Sequence, residues 1–136
     1  MVESRPMIFI VDDDPSVRKA LKRLLSSAGF AVATFGSAED ALKSSQRAVA
    51  DGFVIDVRMP GMSGLELQRE LRAAGSRVPV IFITAHEDAD ARNAAMEAGA
   101  TAFLQKPFDD RALLDAVETG LKRNAYEPPD FDHIEQ

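Results

Sequence analysis

Five short apolar runs alternate along the chain with five amphipathic stretches. The runs are Met7–Val11, Ala31–Phe35, Phe53–Ile55, Val80–Ile83 and Ala102–Leu104, rich in Val, Ile and Phe, as strands buried on both faces should be. Between them the apolar period changes to that of a helix. Val17, Ala20, Leu21, Leu24, Leu25 and Ala28 form one stripe, and Arg18, Lys19, Lys22 and Arg23 lie opposite. Asp14-Pro15 starts this helix, with Asp as cap and Pro in the first turn, and Gly29 ends it. A second helix is expected over Ser37–Ser45, a third over Ser63–Ala74, a fourth over Asp88–Ala98 and a fifth over Asp109–Arg123. The fourth is mostly alanine on its inner side, so it buries little area and is expected to be the least firmly held. Such alternation predicts an α/β fold of (βα)5 type, a doubly wound parallel sheet with helices on both faces. Residues 125–136 contain Glu127-Pro128-Pro129-Asp130 and read as an acidic C-terminal tail or the stump of a linker.

Composition narrows the function more than the fold. The 136 residues suit one domain with a real core. A net charge of −6 argues against direct binding to nucleic acid or to anionic membranes. Any DNA-binding or other output domain is expected outside this chain. With no cysteine, disulfides and thiolate metal sites are excluded. The apolar run Met7–Val11 is too short for a signal peptide, and no stretch approaches a membrane span, so a cytoplasmic location is expected.

The candidate chemistry collects at strand ends. The first run leads into Asp12-Asp13-Asp14, the third into Asp56, the fourth into Thr84, and the fifth into Lys106-Pro107. The carboxyl rim of an open parallel sheet is where ligands bind. Clustered carboxylates repel one another; a hard divalent cation such as Mg²⁺ relieves the repulsion and can also hold a phosphate oxygen. One carboxylate can then act as nucleophile and form an aspartyl-phosphate. Phosphoryl transfer needs mainly positioning and charge stabilisation, for which Lys106 offers a positive charge and Thr84 a hydroxyl. Other polar residues have plainer readings. Asp14 suits a helix cap, Asp88 and Asp90 a capped first turn, Met59 and Met62 loop packing, and His86 an exposed loop. Arg58 reads as a solvated loop arginine that can reach a phosphate.

The acidic pair Asp12-Asp13, Asp56 followed by Met59-Pro60-Gly61 and Gly64, Thr84-Ala85, and Lys106-Pro107-Phe108 occur in order. In this the chain resembles the receiver domain of bacterial two-component response regulators over about residues 5–124. The stretch from Lys106 to Val117 is similar to receivers of the FixJ type. The resemblance implies a receiver domain over 1–124, a flavodoxin-like strand order 2-1-3-4-5 and a cis Lys106–Pro107 bond. It implies a phosphorylation-controlled switch in which Asp56 takes a phosphoryl group from a sensor histidine kinase or phosphotransfer protein. Asp13, Asp56 and the Arg58 carbonyl would bind Mg²⁺, with Asp12 acting through water. Thr84, Lys106 and the Ala85 N–H would hold the phosphoryl oxygens. Phe103 matches the switch aromatic. Having no hydroxyl, it is expected to work by packing alone, turning inward when Thr84 is drawn to the phosphoryl group. The fourth helix, fifth strand and fifth helix would form the output face, and phosphorylation-dependent dimerisation is one use of it. The only catalysis implied is self-phosphorylation and self-dephosphorylation. Three alternatives stand beside this. A metal-dependent phosphatase would want a second Asp two residues after Asp56, where Arg58 stands. A dinucleotide-binding domain would want glycines after the first strand, where carboxylates stand. A constitutive interaction module would not need the complete acidic site.

Overall fold

Each apolar run forms a strand in the computed structural model, which describes residues 5–125. The strands are β1 (Met7–Val11), β2 (Ala31–Phe35), β3 (Gly52–Asp56), β4 (Val80–Thr84) and β5 (Ala102–Gln105). The helices are α1 (Pro15–Ser27), α2 (Ala38–Lys43), α3 (Gly64–Ala73), α4 (Ala89–Glu97) and α5 (Asp110–Ala125). β3 and β4 run through Asp56 and Thr84, so both polar residues are held by sheet pairing and not by loops.

The helix starts are fixed by short side chains. Asp14, Ser37, Ser63 and Asp88 each accept a backbone N–H of the first turn, and Ser63 and Glu66 complete a reciprocal capping box. α2 is shorter than expected. Ser44 turns to extended backbone, and a single 3-10 turn at Arg47–Val49 carries the chain toward β3. α5 runs past Arg123 to Ala125, so Ala125 belongs to the helix; the rest of the expected tail, 126–136, lies outside the described residues.

All strand pairs are parallel and the order is β2-β1-β3-β4-β5, as expected. Alternate side chains of each strand feed two cores. Ile8, Ile10, Val54, Ile81 and Ile83 pack with Leu21 and Leu25 of α1 and Leu113 and Val117 of α5. Phe9, Phe53, Ile55, Phe82 and Phe103 pack with α2, α3 and α4. On that second face α4 contributes only Ala91 and Ala95 as buried residues. No described helix is long and apolar enough to cross a membrane.

Candidate functional site

The strand order reverses at β1, whose neighbours are β2 and β3. Ligand crevices form at such switch points, beyond the carboxyl ends of the strands. Val11 lies opposite Ile55, which brings Asp12 and Asp13 beside Asp56. Carboxylate oxygens of Asp12, Asp13 and Asp56 lie within 4.8 Å of one another. Asp12 is wholly buried and well held. One oxygen accepts the Asp14 N–H at 2.9 Å, and the other accepts the Lys106 ammonium at 3.2 Å. Asp13 is exposed and leaves its carboxylate turned to the rim. Asp14 is the cap of α1, where the Ser16 hydroxyl and N–H hold its carboxyl below the ordinary range.

Asp56 sits at the end of β3, opposite Ile83 of β4, and is 7% exposed. Among the described residues its one backbone donor is the Arg58 N–H, at a long 3.4 Å. Burial, then the charge of Asp12, push its pKa up to about 6, while Lys106 pulls it down. The chain turns back sharply after it, with the Gly64 N–H donating to the Val57 carbonyl at 2.9 Å. A Cβ on Gly64 would collide with the Asp56 carbonyl oxygen, so this position admits only glycine without displacing the acceptor. Three hard oxygen donors on two adjacent strand ends match what Mg²⁺ takes from proteins, leaving other positions to water and substrate.

Thr84, at the end of β4, is 1% exposed. Its hydroxyl donates to the His86 carbonyl at 3.1 Å and accepts the His86 N–H at 3.2 Å, which folds the β4–α4 loop back on it. Lys106 follows β5, its N–H donating to the Thr84 carbonyl at 2.7 Å, and its bond to Pro107 is cis. Ala85 and His86 are exposed on the same rim.

Phe103 departs from expectation. Its ring is already inward, 6% exposed and 6.1 Å from the Phe82 ring, while the Thr84 hydroxyl is engaged with His86. Arg92 of α4 covers it, with its guanidinium carbon 4.9 Å from the ring centroid, and donates to the Phe103 carbonyl at 3.3 Å. Without a hydroxyl there is no polar tip to keep this ring in water, and the alanine face of α4 leaves room for it.

Arg58 is not simply solvated. Its guanidinium donates to Asp88, the cap of α4, at 2.8 Å, spanning the mouth of the site. Glu39 of α2 is a second residue that sequence reasoning passed over. Its carboxylate accepts the Met62 N–H at 2.9 Å, which holds it below the ordinary carboxylate range. It also abuts Gly61, whose φ of +75° suits glycine. Glu39 therefore braces the β3–α3 loop that carries Arg58. Pairs separated by 30 and 23 positions leave no periodic signal in the sequence.

The chain matches the response regulator receiver domain family over residues 8–118. It is 44% identical over 121 residues to Nodulation protein W of Bradyrhizobium diazoefficiens, covering 89% of this chain and 53% of that protein. It is 46% identical over 125 residues to the transcriptional regulatory protein FixJ of Azorhizobium caulinodans, covering 92% of this chain and 59% of that one. Among solved structures, the response regulator StyR superposes with a TM-score of 0.83 at 51% identity, covering 90% of this chain and 62% of that one. The chain thus spans little more than half the length of these curated relatives.

Proposed function

The chain belongs to the response regulator receiver domain family, and from that premise we propose that it is a signalling switch phosphorylated on Asp56 by a sensor histidine kinase or phosphotransfer protein. One observation carries this reading: the clustered oxygens of Asp12, Asp13 and Asp56, with Lys106 bonded to the cluster and Thr84 ending the next strand. We assign the receiver unit to residues 1–125, through the end of α5.

A pKa of about 6 leaves the Asp56 carboxylate mostly ionised at pH 7, roughly ten to one. Burial removes part of its hydration, so it meets phosphorus as a nucleophile with few hydrogen bonds to shed. The Asp56 oxygen forms a bond to phosphorus as the bond to the donor imidazole breaks, and the imidazole leaves by taking a proton. Lys106 and Thr84, with the Ala85 N–H, receive the charge on the transferred oxygens. Asp12, Asp13, Asp56 and the Arg58 carbonyl are the groups that would hold Mg²⁺, with Asp12 acting through water. The bound ion would offset the crowded carboxylates and the incoming phosphoryl charge. The chemistry is confined to self-phosphorylation and self-dephosphorylation.

The response runs through the β4–α4 loop. Engaging a phosphoryl oxygen requires the Thr84 hydroxyl to leave the His86 carbonyl. Because Phe103 is already seated, the change passes to α4 through that loop and the Arg58–Asp88 pair, not through an inward turn of the ring. The α4-β5-α5 face then meets a partner, a second copy or an output domain outside this chain, in the cytoplasm where the kinase domain acts. Incubation with Mg²⁺ and acetyl phosphate, followed by intact mass and elution volume, tests the reading. Wild type should gain one phosphoryl mass and Asp56→Asn none. An Asn variant that gains it at the wild-type rate overturns the assignment.

A further inference from the structure

Arg18 belongs by sequence to the charged side of α1, yet it is half-buried. Long helical side chains lean toward the helix N-terminus. The Arg18 guanidinium does so and donates to the Asp12 carbonyl at 2.7 Å. That bond completes the hold on Asp12, whose N–H donates to the Phe35 carbonyl at 3.1 Å and whose carboxylate accepts the Asp14 N–H and the Lys106 ammonium. The guanidinium also rests on Gly36, the residue after β2. A Cβ there would lie 3.2 Å from the same Arg18 Nη1 that makes the bond. Gly36 is not one of the glycines with positive φ, so what it supplies is space.

The Asp12 carbonyl and the Asp13 N–H share one planar peptide unit. Holding the oxygen fixes the plane from which Asp13 departs. Asp13 is exposed, so its direction is set by the backbone more than by packing. We propose that Arg18 is a positioning residue for the metal site. Through the Asp12–Asp13 peptide it turns the Asp13 carboxylate toward those of Asp12 and Asp56, and Gly36 gives it room. The inference rests on the Mg²⁺ reading given above. Arg18 belongs to none of the described ion pairs, so a plain effect of its charge is the rival explanation. The two differ in sign. A nearby cation repels Mg²⁺, so removing charge alone tightens binding, whereas removing the brace weakens it.

The test titrates the full chain with MgCl₂, with no phosphoryl donor present, and follows amide chemical shifts. Wild type should show saturable shifts at Asp13 and Arg58. Arg18→Met keeps the stem and loses the donors. It should weaken Mg²⁺ binding about tenfold, a usual cost of removing support behind a metal ligand. Lys19→Met removes the same charge from the next, exposed position and should not weaken it. Gly36→Val keeps every charge and crowds the guanidinium. It should weaken binding about threefold, as for a hydrogen bond strained and not lost, and it decides the matter if Arg18→Met does not fold. Unchanged or tighter binding by Arg18→Met, an equal loss in Lys19→Met, or wild-type affinity in Gly36→Val would overturn the inference alone. No saturable shift in wild type would overturn the Mg²⁺ reading and this inference with it.

Discussion

The proposed role asks Asp56 to be buried enough to be a sharp nucleophile and yet ionised, and these demands oppose each other. Its raised pKa has a definite sign in stability. Between the unfolded value of 3.8 and about 6 the folded chain binds more protons than the unfolded one. Stability from this group therefore falls as pH rises through that window, by about 3 kcal/mol without metal. Thermal melts in EDTA should show wild type losing stability from pH 4 to about pH 6.5 relative to Asp56→Asn. Parallel curves for the two proteins would refute this. Gly64 gives a second test. Gly64→Ala forces the added Cβ against the Asp56 carbonyl. Urea unfolding should show a loss of about 1–3 kcal/mol, as overpacking usually costs, with slower gain of phosphate from acetyl phosphate. Asp12, Asp13, Asp56, Thr84 and Lys106 were legible from sequence because each stands where an apolar run stops. Glu39 and the Arg58–Asp88 pair were not, because loops meet there only after the sheet has formed.

At the scale of elements, α4 is held by light apolar packing and by three polar ties. Ala91 and Ala95 are its buried residues; Gln68 donates to its Ala95 carbonyl, Arg92 bonds the Phe103 carbonyl, and Asp88 pairs with Arg58. Geometry-dependent ties of this kind can exchange without unfolding the helix. Hydrogen exchange with and without beryllofluoride should change most across residues 84–103, and a larger change in α1 would argue against the route through α4. Asp88→Asn should weaken the hold on Arg58 and lengthen the phosphoryl lifetime if Arg58 then shields phosphorus. Arg58→Ala should shorten the lifetime, and decay unaltered in both variants removes the shielding role. The alanine spacing made the light packing of α4 readable in advance. The three ties were not readable, since each joins residues from different elements. The early end of α2 escaped for a related reason: Ser44 and Ser45 suit a helix or a turn equally, and the approach to β3 decides.

For the molecule as a whole, charge is local. Three carboxylates crowd together at the carboxyl rim of the sheet, with Lys106 bonded to one of them, so the net charge of −6 does not describe the site. Mg²⁺ should therefore stabilise wild type by mass action, by about 1.4 kcal/mol at ten times its Kd, and so raise its melting temperature. Asp13→Ala should abolish the rise, and an unaltered response would remove Asp13 from the ligand set. Strand order was legible through the family resemblance, because periodicity alone gives the alternation of strands and helices without their order.

The seated ring of Phe103 bears on how quiet the resting state is. A receiver that stores much of its response in an aromatic side chain gains packing when the ring goes in. Here the ring is packed already, so in the proposed switch phosphorylation would have chiefly hydrogen bonds and one ion pair left to rearrange. Coupling of that kind amounts to about 1–3 kcal/mol, a 5- to 150-fold shift. The expected signature is appreciable background output before any signal arrives and a modest dynamic range once it does.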